Sequence, residues 1–165
     1  MPSPSPATDT GAELRRARPL LGTLVEIRAA APWPRTRLDA AVDAAFAAVE
    51  RVQALMSFHD PRSELSRLNR EAWRRPEPVS AQTWSVLAEA LELSRLSGGA
   101  FDVTVAPALE ALGYLPPADM PVVPAARWSD IELLPDSRVR YARPLRIDLG
   151  GIAKGHAVDR AVEAL

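Results

Sequence analysis

A glycine-rich segment near the end of the chain has the residue types of a phosphate-binding loop. Residues 148–155 hold Gly150, Gly151 and Gly155 together with Lys154, the only lysine, at a predicted strand-to-helix junction. Glycine lets a ligand approach the main chain, the first N–H groups of a helix attract anions, and lysine adds a point charge suited to phosphate. The spacing fits neither the P-loop nor the GxGxxG pattern. The segment predicts a site for a nucleotide pyrophosphate, with a tight turn that binds nothing as the alternative.

Three further side chains could take part in chemistry, and each has an ordinary structural alternative. His59, beside Phe58 in a polar loop, could stack on a flat ligand or titrate near neutrality, or it could be a surface histidine. Asp102, on the polar face of a predicted strand over 101–105, could bind a ligand or cap a neighbouring turn. Asp159 lies one turn into the last predicted helix and could bind a ligand or simply face solvent. From these residues alone the alternatives stay open.

The composition excludes several classes of protein. The 165 residues include no cysteine, carry a formal net charge of −1, and are 47% apolar and 25% charged. The apolar fraction excludes wholesale disorder, and the absence of cysteine excludes disulfides, thiolate nucleophiles and sulfur-ligated metals. The near-zero charge gives no support for a nucleic-acid partner, and no stretch reaches the ~18 consecutive apolar residues of a transmembrane segment. With no signal peptide or lipidation cysteine, the expected location is cytoplasmic by default, and an upstream start would leave export open.

Hydrophobic patterning and turn residues predict an α+β fold with a mixed β-sheet and packed helices. Residues 1–18 are expected to form a disordered leader, followed by a folded region over 19–165. Helices are predicted over 36–55, from Ser63 to Asn69, from Ser80 to the Gly98-Gly99 pair, over 108–112 and over 157–165. Strands are predicted over 20–28, 101–105, 131–134, 139–141 and 145–149.

The last predicted helix is still amphipathic where the sequence stops. Val158, Val162 and Leu165 recur at spacings of four and three, and no capping glycine, proline or polar tail follows them. We therefore expect the chain to be truncated, or to be one product of a split gene. The apolar face would then be uncovered, which favours aggregation or loose packing.

Four segments, in this order, resemble the ApbE family: 21–23, 56–69, 98–107 and 148–159. Members of this family are flavin transferases, also called FAD:protein FMN transferases and formerly thiamine biosynthesis lipoproteins. The resemblance runs from about Pro19 to the last residue. It identifies residues 19–165 as the N-terminal part of a flavin transferase domain.

The resemblance implies an activity, a cofactor and a partner. An enzyme of this family binds FAD and Mg²⁺ and moves the FMN moiety of FAD onto a threonine hydroxyl of a target protein, releasing AMP. The target is a flavin-carrying subunit of a redox complex. The same scaffold could instead hydrolyse FAD to FMN and AMP, or the chain could be an inactive flavin-binding fragment. The sequence does not separate these three functions.

The resemblance also implies roles for particular residues. FAD contacts are expected at Leu21, His59, Ala100, Phe101, Asp102, Lys154, His156 and Asp159, and Ala153 is expected to offer its carbonyl oxygen to the metal. Leu21 stands where the family usually has methionine, and His59 where it often has a tyrosine that stacks on the isoalloxazine ring. The metal-binding aspartate and threonine of the family lie in a second half that has no counterpart in this chain. No catalytic residue is assigned.

Overall fold

A computed structural model describes residues 12–117, 123 and 126–165. In chain order its elements are β1 (Ala12–Leu20), β2 (Thr23–Ala31), α1 (Arg35–Met56), α2 (Glu64–Glu71), β3 (Glu77–Pro78), α3 (Ala81–Leu96), α4 (Ala106–Ala111), β4 (Ile131–Leu134), β5 (Arg138–Tyr141) and α5 (Gly150–Ala164). The strands form two small antiparallel sheets, ordered β1-β2 and β3-β5-β4. This arrangement confirms the predicted α+β class. Among these helices, none is long and apolar enough to cross a membrane.

The described residues form two compact units. The first contains the residues up to Glu50 together with Val158–Leu165, and the second contains Arg51–Ala157. Helices α1 and α5 therefore each contribute residues to both units.

The first unit contains a hairpin that the sequence patterns did not predict. Leu20 of β1 pairs with Thr23 of β2, and the two residues between them, Leu21 and Gly22, have φ values of 56° and 70°. A two-residue hairpin turn requires this left-handed conformation. The prediction of a leader over 1–18 is wrong for residues 12–18, because β1 begins at Ala12, and residues 1–11 lie outside the described part of the chain. The strand predicted over 20–28 is likewise interrupted by this turn.

Ion pairs to α1 explain why a strand so rich in arginine is ordered. Arg16 donates to Asp39 and Asp43 at 2.8 and 3.0 Å, and Arg18 donates to Asp43 at 2.8 Å. The Arg18 guanidinium also lies 4.3 Å from the centre of the Phe46 ring, where cation and aromatic face attract each other. Since these partners are distant in sequence, local patterning along β1 could not reveal them.

Three helices lie close to their predicted bounds. Helix α1 buries its apolar face, which consists of Leu38, Val42, Phe46, Val49 and Val52. The hydroxyls of Ser63 and Ser80 accept backbone N–H groups and cap α2 and α3, as predicted. Helix α3 ends just before Gly98 and Gly99, whose φ values of 62° and 86° suit a helix terminus.

Two segments predicted as strands have another structure. Residues 101–105 alternate like a strand, but the Asp102 carboxylate accepts the Thr104 amide at 2.8 Å and starts a 3₁₀ turn over Val103–Val105. Residues 145–149 pair with a side chain instead of a strand. The Asn69 amide nitrogen donates to the Ile147 carbonyl at 3.0 Å, and the Ile147 amide donates to the Asn69 side-chain oxygen at 2.9 Å. One buried side chain thus satisfies both backbone groups of Ile147.

Helix α5 begins at Gly150, well before the predicted start at 157. Glycine is a poor helix former, which is why its presence favoured a loop in the sequence analysis. The Asp148 carboxylate accepts the Gly150 amide at 3.0 Å and so stabilises the early start. Val158, Val162 and Leu165 are 59%, 64% and 38% exposed, so the apolar face that they form on α5 is uncovered, as predicted.

We expect Asn69→Leu to destabilise the protein strongly. Asn69 is 6% exposed, and leucine would leave the N–H and C=O of Ile147 buried without their partner. An unsatisfied buried polar group costs about 1–3 kcal/mol, so the free energy of unfolding should fall by about 2 kcal/mol or more. The measurement is the urea midpoint followed by circular dichroism.

Ser94→Ala is the matched control for this prediction. Ser94 is also buried, but its hydroxyl donates to the Ala90 carbonyl at 2.9 Å inside α3, where the helix itself supplies a partner. A small effect is expected there. Equal midpoints for Asn69→Leu and the unaltered chain would contradict the role given to Asn69.

Candidate nucleotide site

Two of the segments that carry the family resemblance lie side by side in the second unit. The Asp148 amide donates to the Val103 carbonyl at 2.8 Å. A Cβ built on Gly151 would lie 3.3 Å from the Phe101 ring, so this half-buried ring packs against the main chain of the first turn of α5. Ala100, next to it, is exposed. The fold therefore brings Ala100 and Phe101 to the start of α5.

The first turn of α5 offers an exposed surface suited to an anion. Gly150, Gly151 and Lys154 are all exposed. Helix α5 is 15 residues long, so its first N–H groups and the positive end of its dipole favour a negative charge. The Lys154 ammonium lies 3.5 Å from the Gly150 carbonyl oxygen, which keeps its charge at this end of the helix.

Asp148 already occupies part of this helix end. Its Oδ2 accepts the Gly150 amide at 3.0 Å, and a Cβ on Gly150 would come within 2.8 Å of the same oxygen. Glycine at position 150 therefore permits this cap. The Ile152 and Ala153 amides donate to the Leu149 carbonyl at 3.0 and 2.8 Å, so the Gly151 amide is the backbone donor left for a phosphate. Lys154 supplies positive charge to compensate for the neighbouring carboxylate.

Asp102 acts as a cap in this structure. One carboxylate oxygen accepts the amide and the hydroxyl of Thr104, both at 2.8 Å, and the other accepts the Trp128 amide at 3.3 Å. Of the two alternatives that the sequence left open, the geometry favours the turn cap. Trp128 also lies near Gly99, since a Cβ built on Gly99 would be 3.6 Å from the indole nitrogen. The sequence patterns did not predict that Trp128 belongs to this turn. No local signal links it to a turn so distant in sequence.

His156 and Lys154 lie on different sides of α5. Two residues along a helix correspond to a rotation of about 200°. Lys154 is exposed, whereas His156 is half-buried, and its Nε2 lies 3.1 Å from the side-chain nitrogen of Gln82 in the first turn of α3. The structure thus separates two residues to which the resemblance gives the same ligand. Sequence reasoning did not identify Gln82.

The described residues do not make a magnesium site by themselves. Ala153, the predicted metal ligand, is 6% exposed in the second turn of α5. Over 12–117, 123 and 126–165, no group of three histidine, aspartate or glutamate side chains is arranged to hold a metal ion. Mg²⁺ takes about six oxygen ligands, usually with one or two carboxylates, so a single carbonyl is not sufficient.

His59 is exposed on an ordered loop of the second unit. The Ser57 hydroxyl accepts the backbone amides of His59 and Asp60 at 3.2 and 3.1 Å. The imidazole meets the Phe58 ring edge-on, with the ring centres 6.2 Å apart. The Arg62 backbone amide, which donates to Asp60, holds the pKa of that carboxyl below its usual range. The loop therefore presents an aromatic ring next to an ionised carboxylate.

Leu21 and Asp159 belong to the first unit. Leu21 is half-buried in the β1–β2 turn, and Asp159 is exposed on α5. Their contacts with FAD remain predictions.

The chain is similar to curated flavin transferases. A model of the ApbE family matches residues 21–165. An FAD:protein FMN transferase from Vibrio cholerae is 38% identical over 127 residues, and one from Haemophilus influenzae is 33% identical over 134 residues. These matches cover 71% and 72% of this chain.

Solved structures of the same kind share the fold. The ApbE protein from Thermotoga maritima superposes with a TM-score of 0.80 at 27% identity, over 93% of this chain and 52% of its own. The flavin transferase ApbE from Vibrio cholerae superposes with a TM-score of 0.78 at 29% identity, over 93% of this chain and 53% of its own.

The chain spans less than half the length of the curated relatives it matches, 38% and 39% in the two cases above. The family match nevertheless extends from the β1–β2 turn to Leu165 and includes every segment of the candidate site. This chain belongs to the ApbE family.

Proposed function

We propose that this chain supplies the flavin-nucleotide site of an FAD:protein FMN transferase. The observation that carries the proposal is the packing of Phe101 against the first turn of α5, next to Lys154, while Val103 bonds to Asp148 just before that helix. The relatives that bear the name FAD:protein FMN transferase support flavin transfer as the reaction. In this proposal the FMN moiety of FAD passes to a threonine of a flavin-carrying redox subunit, and AMP is released.

The proposed step is a phosphoryl transfer. The threonine oxygen forms a bond to the FMN phosphorus, and the bond from that phosphorus to the bridging oxygen breaks. AMP leaves with the bridging oxygen, and the proton of the hydroxyl passes to water. Negative charge shifts between the two phosphates during this step. The Gly151 amide at the start of α5 and the Lys154 ammonium would stabilise that charge. Mg²⁺ dependence belongs to the proposal through the family resemblance alone.

Two sets of residues are proposed to contact FAD, one at the flavin ring and one along the nucleotide. The exposed His59 ring would stack on the isoalloxazine, since its loop is fixed by hydrogen bonds while the ring stays accessible. Ala100 and Phe101 would line the path of the nucleotide beside α5, as the contact of Phe101 with Gly151 suggests.

The function can be tested with a chimera in which the remaining half of the Vibrio cholerae relative follows Leu165. The chimera is incubated with FAD, Mg²⁺ and a flavin-acceptor domain. We expect flavin attached covalently to the acceptor and one AMP per flavin, and no attachment when the acceptor threonine is replaced by valine. Free FMN would indicate hydrolysis instead, and FAD binding without product would indicate a binding fragment. Either result would contradict the transferase assignment.

Lys154→Ala should weaken FAD binding in the 165-residue chain. A hydrogen bond to a charged group contributes about 1.5–3 kcal/mol, so the loss should be roughly 10-fold or more, and smaller at high salt. Equilibrium titration of FAD fluorescence measures it. Arg160→Ala, which removes a positive charge further along α5, is the control and should change the affinity little. Unchanged affinity in Lys154→Ala would remove Lys154 from the site.

Substitutions of His59 should separate stacking from a surface role. His59→Tyr restores the residue common in the family and should preserve or tighten FAD binding. His59→Ala should weaken it by about 1 kcal/mol, because an aromatic contact is lost. The readout is the quenching of flavin fluorescence with the dissociation constant. If alanine leaves both intact, His59 is an ordinary surface histidine.

A further inference from the structure

We propose that the hydrogen bond between Gln82 and His156 positions the start of α5 for the flavin nucleotide, and that His156 acts through this pair without touching the ligand. The inference rests on the proposed function, because it concerns the same site. It makes Gln82 and His156 positioning residues, whereas the resemblance alone makes His156 a ligand contact.

The hydrogen bond itself defines the state of the histidine. The side-chain nitrogen of Gln82 lies 3.1 Å from Nε2 of His156. In this orientation of the Gln82 amide its NH₂ group donates, which assigns Nε2 as the acceptor and the ring proton to Nδ1. The ring nitrogen that faces α3 is therefore engaged within the protein.

The rotation of α5 about its own axis depends on the side chains that it packs in the second unit. Its buried face in the second unit consists of Ala153 and Ala157, whose methyl groups are too small to interlock deeply with their neighbours. Just before the helix, the Asp148 amide donates a hydrogen bond to the Val103 carbonyl and so anchors the start of α5. A directional hydrogen bond at His156, on the second turn, adds a constraint on the rotation that these methyl groups do not supply.

The other partner, Gln82, lies on a helix whose first turn is held by further hydrogen bonds. It is in the first turn of α3, two residues after the N-cap residue Ser80. The Glu64 carboxylate accepts both the amide and the hydroxyl of Ser80, each at 2.9 Å, and so ties the start of α3 to the start of α2. The same α2 carries Asn69, which binds Ile147 just before α5. The helix that carries Gln82 and the segment that leads into α5 are thus both hydrogen-bonded to α2.

Rotation of α5 would alter the candidate site directly. Lys154 and Gly151 lie on the exposed side of the helix. Gly151 also packs against Phe101, since a Cβ built on Gly151 would lie 3.3 Å from the Phe101 ring. Turning the helix would move the Lys154 ammonium and the first N–H groups relative to Phe101. Loss of the pair should therefore weaken nucleotide binding although neither residue meets the nucleotide.

The test is a residue swap measured by FAD titration. Gln82→Leu and His156→Leu should each weaken FAD binding about 2- to 10-fold, the range expected for one hydrogen bond. The double variant Q82H/H156Q, which can rebuild the pair in the opposite sense, should return to within about twofold of the unaltered chain. Glu89→Leu makes a polar-to-leucine change at an exposed position of the same helix α3 and should have no effect.

A spectroscopic measurement covers the case in which the swap does not fold. The chain has only two histidines, so the ¹⁵N signals of His156 can be assigned with His59→Gln. In the otherwise unaltered chain we expect Nδ1 protonated and Nε2 unprotonated, both before and after FAD is added. A large shift of a His156 ring nitrogen on FAD addition would mean direct contact and would overturn the proposal.

The remaining outcomes are equally distinct. A folded swap variant that stays as weak as the single variants would show that His156 itself meets the nucleotide. A Gln82→Leu protein with a lower melting temperature but unchanged FAD affinity would show a purely structural pair, and this also overturns the proposal. Failure of the unaltered chain to bind FAD would refute the proposed function first, and the inference would fall with it.

Discussion

The side-chain amide of Asn69 takes the place of a neighbouring strand for Ile147, and the position of α5 depends on it. The amide donates to one backbone group of Ile147 and accepts the other, inside a buried environment where neither group could turn to water. The next residue, Asp148, donates to Val103 and caps Gly150. A single buried side chain thus aligns the segment that bonds both to the 3₁₀ turn over Val103–Val105 and to the start of α5.

Elements stabilised by their own neighbours could be predicted from the sequence. Ser63 and Ser80 cap helices whose first turns lie within three residues of them, so the signal and its effect are local. The segments around Asp102 and Ile147 could not be predicted in the same way. Their apolar alternation is typical of strands, but the partner of Ile147 is 78 residues away and is a side chain. Alternation indicates which residues are buried, and does not indicate what pairs with the backbone.

The candidate site divides along the same line. The exposed glycines, Lys154 and the helix end were recognisable because their chemistry lies within one short segment. The contact of Phe101 with Gly151 can be seen only in the folded structure. The same is true of the separation of Lys154 and His156 on two sides of α5. Adjacent residues in a motif point in different directions once they are helical. In the loop predicted for residues 150–156, both side chains could have reached one ligand.

Small residues in α5 meet two requirements that oppose each other. Gly151 leaves room for the Phe101 ring against the main chain, and Gly150 leaves room for the Asp148 carboxylate on its own amide. Each glycine in a helix costs roughly 1 kcal/mol relative to alanine, and none offers a side chain that could fix the helix in place. Polar side chains supplied by other elements must then do so. This explains why Asn69 and Gln82, each from a different helix, both bond to the chain within the span from Ile147 to His156. The open surface that suits a nucleotide and the need for outside polar anchors therefore have the same cause.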